Sequence, residues 1–248
     1  MIQTGGNLGF GAGANVGLRY VLAVGDFDYA WLLNNDTVIE PNALEALVAR
    51  MNEDSAAGQC GSTTMFYAQP ERVRALAGGN FNKWLCRTRL LQRALSGDQE
   101  ENRRLVETRL GFISGVSLLV RKSFLEQVGL LNEDYFLYYE EVDWSLRSRG
   151  RFTLAYSPGS VVYHKGAVSS GGDWKSGSTS RLADRLYLEN RLKVTRRFFP
   201  WALPVVYVTY LGAIVNRIRR GQWDRVGMIL DIMVKGLRSM VGRTAKNS

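Results

Sequence analysis

The sequence is poor in cysteine and nearly devoid of histidine: Cys60 and Cys86 are its two thiols and His164 its one imidazole. It has no Cys-x-x-Cys pair and no Cys/His cluster. A disulfide scaffold and a structural zinc site are thereby set aside, and a reducing cytoplasm is the expected compartment. Met1 to Phe10 has neither a basic start nor an apolar run, so no signal peptide is expected ahead of the first motif. Internal repeats are also lacking.

The first 180 residues have little net charge, −1 from 18 Lys/Arg against 19 Asp/Glu, whereas residues 181–248 hold 14 against 4. The formal charge of +9 therefore belongs to the C-terminal quarter. A uniformly basic surface would suggest nucleic acid; a basic tail on a neutral body suggests a local task such as docking on anionic lipid, and no nucleic-acid partner is expected. Hydrophobic residues at 46% and charged residues at 22% describe an ordinary globular protein, and 248 residues suffice for one α/β core with a small appendage.

Glycines crowd residues 5–17 and run into a helical pattern over Asn15–Val24. Tyr29–Leu33 reads as a buried parallel strand that stops at Asn34-Asn35-Asp36-Thr37, and Pro41 opens a helix with Leu44, Leu47, Val48 and Met51 on one face. Strand, polar loop and helix in this order is how α/β proteins present ligand sites. Further strands are predicted at residues 59–67, 112–121, 152–156 and 160–164, and helices at 124–128 and after the aromatic loop that begins at Tyr135. Residues 80–109 read as an irregular, exposed insertion, and the Gly/Ser-rich stretch 169–180 as a lid. Residues 198–215 form 18 residues without a charge, which only just reaches membrane-spanning length. Val226, Ile229, Met233, Leu237 and Met240 then recur at helical spacing, which suits either a packing helix or one lying in a membrane interface.

The chemistry-bearing residues fall in three places. Asp36 follows a strand, where a single carboxylate suits Mg²⁺ or Mn²⁺ completed by phosphate oxygens, and Asn34 and Asn35 can hydrogen-bond sugar hydroxyls. The competing reading of Asn-Asn-Asp-Thr is a turn that caps the next helix. Glu140, Glu141 and Asp143 cluster at a helix start; mutual repulsion favours a raised pKa and so a general base, against the alternative of a solvated acidic helix start. His164 ends an apolar strand, where it is either a satisfied polar residue or a group facing a metal or diphosphate. The glycine run, Gly11-x-Gly13-x-x-x-Gly17, departs from Gly-x-Gly-x-x-Gly. It leaves an NAD-dependent oxidoreductase with little support.

In this order, the stretches Asn7–Gly17, Trp31–Thr37, Ile113–Arg121, Val128–Arg147 and Tyr156–His164 resemble the family 2 glycosyltransferases, in particular their rhamnosyltransferase-like branch. The resemblance implies a GT-A α/β fold with a mixed, mainly parallel sheet over residues 1–180, followed by a basic helical region at 181–248. It implies an inverting, metal-dependent transfer of a sugar, rhamnose among the candidates, from a nucleoside diphosphate to a glycan or lipid-linked acceptor in cell-surface polysaccharide synthesis. Asp36 and His164 are then the metal positions, with Mg²⁺ or Mn²⁺ as cofactor. Glu141 takes the place of the base, with Glu140 and Asp143 able to share it. Asn7, Gly9, Asn15, Asn34, Asn35 and Arg147 are the candidate donor-binding residues, Arg147 serving either the phosphates or the base's helix. Family members begin with a strand, loop and helix ahead of the glycine run, so an N-terminally truncated domain is expected, and with it the alternative of a non-catalytic binding module. The basic region is expected to sit at the inner face of the cell membrane.

Overall fold

The glycine run does not remain a loop. In the computed structural model, which describes residues 2–166 and 180–244, the Asn7 side chain accepts from the Gly9 N–H at 3.1 Å. The chain turns there, and α1 (Phe10–Val24) begins five residues before its apolar pattern predicts. α1 ends at Gly25, in the left-handed conformation that glycine tolerates. β1 (Tyr29–Leu33) and β2 (Thr37–Ile39) follow, then α2 (Ala43–Glu53), which buries Leu47 and Met51 and leaves Leu44 exposed.

β3 (Ala57–Phe66) and β4 (Gln69–Leu76) form a hairpin, and β5 (Gly78–Asn82) and β6 (Arg87–Leu90) come next. These last two, with α3 (Gln99–Arg109), occupy the stretch expected to be irregular. Charge hid α3: Val106 is its one buried residue, and it is held by an Asp98 cap on the Glu101 N–H at 2.7 Å and by Arg103 and Arg104 pairing with Glu100. Where one strand was expected there are two, β7 (Phe112–Ile113) and β8 (Ser117–Arg121), separated by a turn. After α4 (Lys122–Val128) and α5 (Glu140–Ser148) comes a single long β9 (Thr153–His164) in place of two strands. A register slip against β3, from Ser62↔Ser157 to Thr63↔Val161, absorbs Pro158.

The main sheet has six strands in the order β1-β8-β3-β9-β2, with β4 pairing β3 beyond the reach of β8. It is mixed, but the expectation of a mainly parallel sheet is corrected: β3–β9 is parallel, while β1–β8, β3–β8, β3–β4 and β2–β9 are antiparallel. β1, read as a buried parallel strand, is a half-buried antiparallel edge strand, because an apolar run of five residues does not specify its neighbours. Alternation along β8 divides the core. Leu118 and Val120 pack with Leu18, Phe124 and Trp144 on one face, and Leu119 packs with Leu47, Met51 and Cys60 on the other.

The chain forms two compact units, Met1–Phe81 with Thr88–Ser169, and Asn82–Arg87 with Ser170–Ser248. In the second, α6 (Arg181–Phe198), α7 (Leu203–Arg219) and α8 (Trp223–Thr244) pack around Val194, Val206, Tyr210 and Ile229. The Tyr210 hydroxyl donates to Leu188 O at 2.6 Å, Arg191 donates to Leu85 O, and Trp84 meets Trp201 edge to face. The expected lid, 169–180, lies outside the described residues except for Ser180, which caps α6.

Candidate active site

The turn between β1 and β2 carries Asp36. Thr37 Oγ1 donates to Asn34 O at 2.6 Å, and the chain then enters β2 rather than a helix; the cap of α2 is Asn42. β2 pairs with the end of β9 in the register Thr37↔His164, and Lys165 N donates to Asp36 O at 2.9 Å. That pairing sets His164 Nε2 3.0 Å from Asp36 Oδ1 and 3.4 Å from Asn34 Nδ2. Among the described residues, no donor other than the His164 ring reaches either carboxylate oxygen of Asp36, although both are sequestered from water. Burial first, then the Arg74 guanidinium, lowers the His164 pKa, so the ring is neutral and able to ligate.

The second half of the site stands on α5. Glu141, in its first turn, accepts from the Gly115 N–H at 3.0 Å. Its pKa is raised by burial, and that of the buried Glu140 is raised well above the usual range by burial and then by the Glu141 charge. The two halves meet at one turn: Asn34 N donates to Val116 O at 3.1 Å, one residue from Gly115. Tyr138 and Tyr139, both left-handed with φ of 72° and 74°, turn the aromatic loop into α5.

Asn15, Asp143 and Arg147 have their polar atoms committed elsewhere. Asn15 is fully buried, its amide donating to Leu131 O and Glu133 Oε1, both at 2.8 Å, and accepting from Leu131 N. Asp143 is buried against Arg147 Nε at 2.7 Å. Arg147 also donates to Val128 O and Leu130 O, both at 2.6 Å, and so anchors the loop before α5 rather than a ligand. Asn7 and Gly9 shape the backbone: a Cβ at Gly9 would meet Phe136 O at 2.2 Å, so the glycine run lets α1 approach the aromatic loop. Asn35 is exposed and lines, with Gly9, Gly13, Trp31 and Asn34, a groove of about 700 Å³ along β1. A second hollow of about 520 Å³, beside Arg104, Ser145 and Arg149, touches none of these residues. Sequence reading missed two residues at the site. Gly115 gives no signal as a carboxylate rest, and Arg74 lies on β4, a strand that was not predicted.

A sheet whose strand-end turn carries a sequestered aspartate beside a histidine, with a raised-pKa glutamate across the next turn, has the form of a GT-A nucleotide-sugar transferase domain. The family model for glycosyl transferase family 2 matches residues 1–129, more than half of the chain, and the protein belongs to that family. It is 27% identical over 189 residues to the N-acetylglucosaminyl-diphospho-decaprenol L-rhamnosyltransferase of Mycobacterium tuberculosis, which covers 70% of this chain and 61% of that one. It is 29% identical over 154 residues to the low-salt glycan biosynthesis hexosyltransferase Agl10 of Haloferax volcanii, covering 60% of this chain and 45% of that one. The chain thus spans about 61% and 45% of the lengths of these curated relatives. The crystal structure of GalNAc-T7 with UDP, GalNAc and Mn²⁺ superposes with a TM-score of 0.56 at 15% identity, over 80% of this chain and 36% of that one, and shows the same fold.

Proposed function

We propose that the protein is an inverting glycosyltransferase that moves a sugar from a nucleoside diphosphate to a hydroxyl of a glycan or lipid-linked acceptor. The observation that carries the reading is the placement of the Asp36–His164 pair and Glu141 on either side of the Asn34–Val116 contact. Glu141, with its raised pKa, is the base that takes the acceptor hydroxyl's proton while that oxygen bonds to the anomeric carbon. The bond to the diphosphate oxygen breaks in the same displacement. Asp36 and His164 would hold Mg²⁺ or Mn²⁺, which offsets charge on the departing diphosphate when bound. The donor set fits such an ion: the carboxylate oxygens are sequestered, with no donor but the His164 ring among the described residues, and the imidazole is neutral. Among the described residues no three His, Cys, Asp or Glu side chains cluster, so phosphate oxygens and water would complete the shell, as these cations prefer. Names of the relatives favour rhamnose or another hexose as the sugar and a polyprenyl-diphosphate glycan as the acceptor.

Calorimetric titration with a nucleoside diphosphate and Mn²⁺ tests the reading. Metal-dependent binding in the wild type should vanish in Asp36→Ala, together with transfer. Binding that persists in Asp36→Ala overturns the metal assignment, and a wild type that binds no nucleoside diphosphate favours a non-catalytic module.

We further propose that the helical unit rests on the cytoplasmic face of a membrane. Within Pro200–Arg219 an 18-residue window has a mean hydropathy of 1.3, and 22% of that window is buried. Leu203, Val206 and Tyr210 face inward, whereas Trp201, Val205, Val208, Leu211, Val215 and Ile218 form an exposed apolar face at helical spacing. A helix apolar on its outer side, tied by Tyr207 and Tyr210 to α8 and α6 and bordered by Arg217, Arg219 and Arg220, suits an interfacial position on anionic lipid better than a span.

A further inference from the structure

The hairpin β3–β4 is not regular. Thr64 pairs with Ala75 and Met65 with Val73, which leaves Arg74 opposite no residue, at a bulge. Bulges re-aim side chains and recur beside active sites. The Arg74 guanidinium lies over the Phe66 ring, 5.5 Å from its centroid, and Phe66 is in register with His164 on β9. Beyond the ring it reaches Gly166: a Cβ there would stand 2.9 Å from Arg74 Nη1 and 3.5 Å from His164 Nδ1. Its electrostatic partner is the Asp36 carboxylate. Among the described residues nothing forms a hydrogen bond or ion pair with this half-buried guanidinium. A half-buried guanidinium left without a hydrogen bond among the described residues is costly to keep, which makes its placement near the Asp36 charge informative.

Arg72 provides the contrast. Its guanidinium lies 5.0 Å from the same ring, yet Arg72 is exposed and donates to Gln69 Oε1 at 3.2 Å. Stacking on Phe66 is common to both arginines; of the two, it is Arg74 that flanks Gly166 beside His164 and feels the Asp36 charge. Guanidinium matches phosphate oxygens in geometry and charge.

We propose that Arg74 is a diphosphate-anchoring residue of the donor site, holding an anionic phosphate oxygen next to the cation position at Asp36 and His164. The proposal rests on the glycosyltransferase reading above and adds a residue to it. Bare Asp36 repels a diphosphate, so the fixed positive charge at Arg74 assists binding with or without the metal, whereas Asp36 acts through the metal.

UDP, GDP and dTDP, each titrated calorimetrically into the full chain with and without Mn²⁺, test it. Arg74→Ala should weaken the tightest of the three on the order of tenfold in either condition, with a smaller loss for Arg74→Lys. Arg72→Ala should stay within about twofold, as expected for an exposed side chain. Mn²⁺ binding without nucleotide, read from the electron paramagnetic resonance signal of the free ion, should survive in Arg74→Ala and be lost in Asp36→Ala. Gly166→Ala, which crowds the guanidinium without removing it, should weaken nucleotide binding in the same direction. If Arg74→Ala melts as the wild type does and binds all three nucleotides equally well, the Arg74 assignment is wrong even where Asp36→Ala abolishes binding. Loss of Mn²⁺ binding in Arg74→Ala would make it a structural support of the metal position and overturn the proposal too. A failure of Asp36→Ala to alter metal-dependent binding removes the underlying reading instead.

Discussion

Glu141 rests one carboxylate oxygen on the backbone N–H of Gly115, 3.0 Å away, and this contact ties helix α5 to the turn beside Asn34. A Cβ on Gly115 would stand 2.8 Å from that oxygen and 2.4 Å from the Phe10 ring. The glycine is therefore what lets the carboxylate and α1 converge on one turn.

Gly115→Ala should lower turnover by on the order of a hundredfold, because a displacement near 1 Å at a reacting group costs about that much. Nucleotide affinity, set by Asp36 and its neighbours, should change little. Steady-state kinetics beside calorimetry checks it: equal losses in both would assign Gly115 to donor binding rather than to placing the base.

Much of this site was legible because its chemistry sits at strand ends, where short polar motifs interrupt apolar runs. Asp36 and His164 were readable on those terms, and Glu141 as part of an acidic cluster at a helix start, each with a rival structural reading. What escaped has physical causes. Parallel and antiparallel neighbours leave the same apolar pattern in a half-buried edge strand such as β1. α3 and β4 are coated with charge, so hydrophobic periodicity passed them by, and Arg74 went with them. Asn15, Asp143 and Arg147 lie within the motif stretches, but their hydrogen bonds hold loops rather than ligands, a distinction that residue type does not carry.

Asn15 offers a direct check of that distinction. Asn15→Ala strands the Leu131 N–H and C=O in a buried place, which should cost about 1–3 kcal/mol. Chemical denaturation should show this loss, while the folded fraction binds a nucleoside diphosphate as before. Reduced affinity at unchanged stability would return Asn15 to the donor site.

The carboxylate pair sets a pH dependence with a definite sign. Burial holds the Glu141 pKa above the usual carboxylate range, so the rate should rise from acid pH along a limb whose midpoint also lies above that range. For stability, Glu140 is held high by burial and by Glu141, so the native state binds its proton more tightly than the unfolded chain. Its contribution is present below the ordinary carboxylate pKa and is lost as pH rises through the elevated one. Glu140→Gln should therefore melt above the wild type at pH 8, with the advantage shrinking toward pH 4. An equal shift at both pH values would mean the charge is not the cause.

The outer face of α7 should respond to charge in a way a packing face does not. Val208 is 66% exposed and Leu211 52%, so Glu at both positions should leave folding within about 0.5 kcal/mol per site. An interfacial helix would lose the apolar area it buries in lipid at about 25 cal/mol per Å², and would gain repulsion from an anionic surface. Sedimentation with phosphatidylglycerol vesicles should capture the wild type, release it as salt rises, and miss the Val208→Glu, Leu211→Glu double variant. Capture that ignores both salt and the double variant would assign membrane contact to another surface, and no capture of the wild type would leave this face to a protein partner.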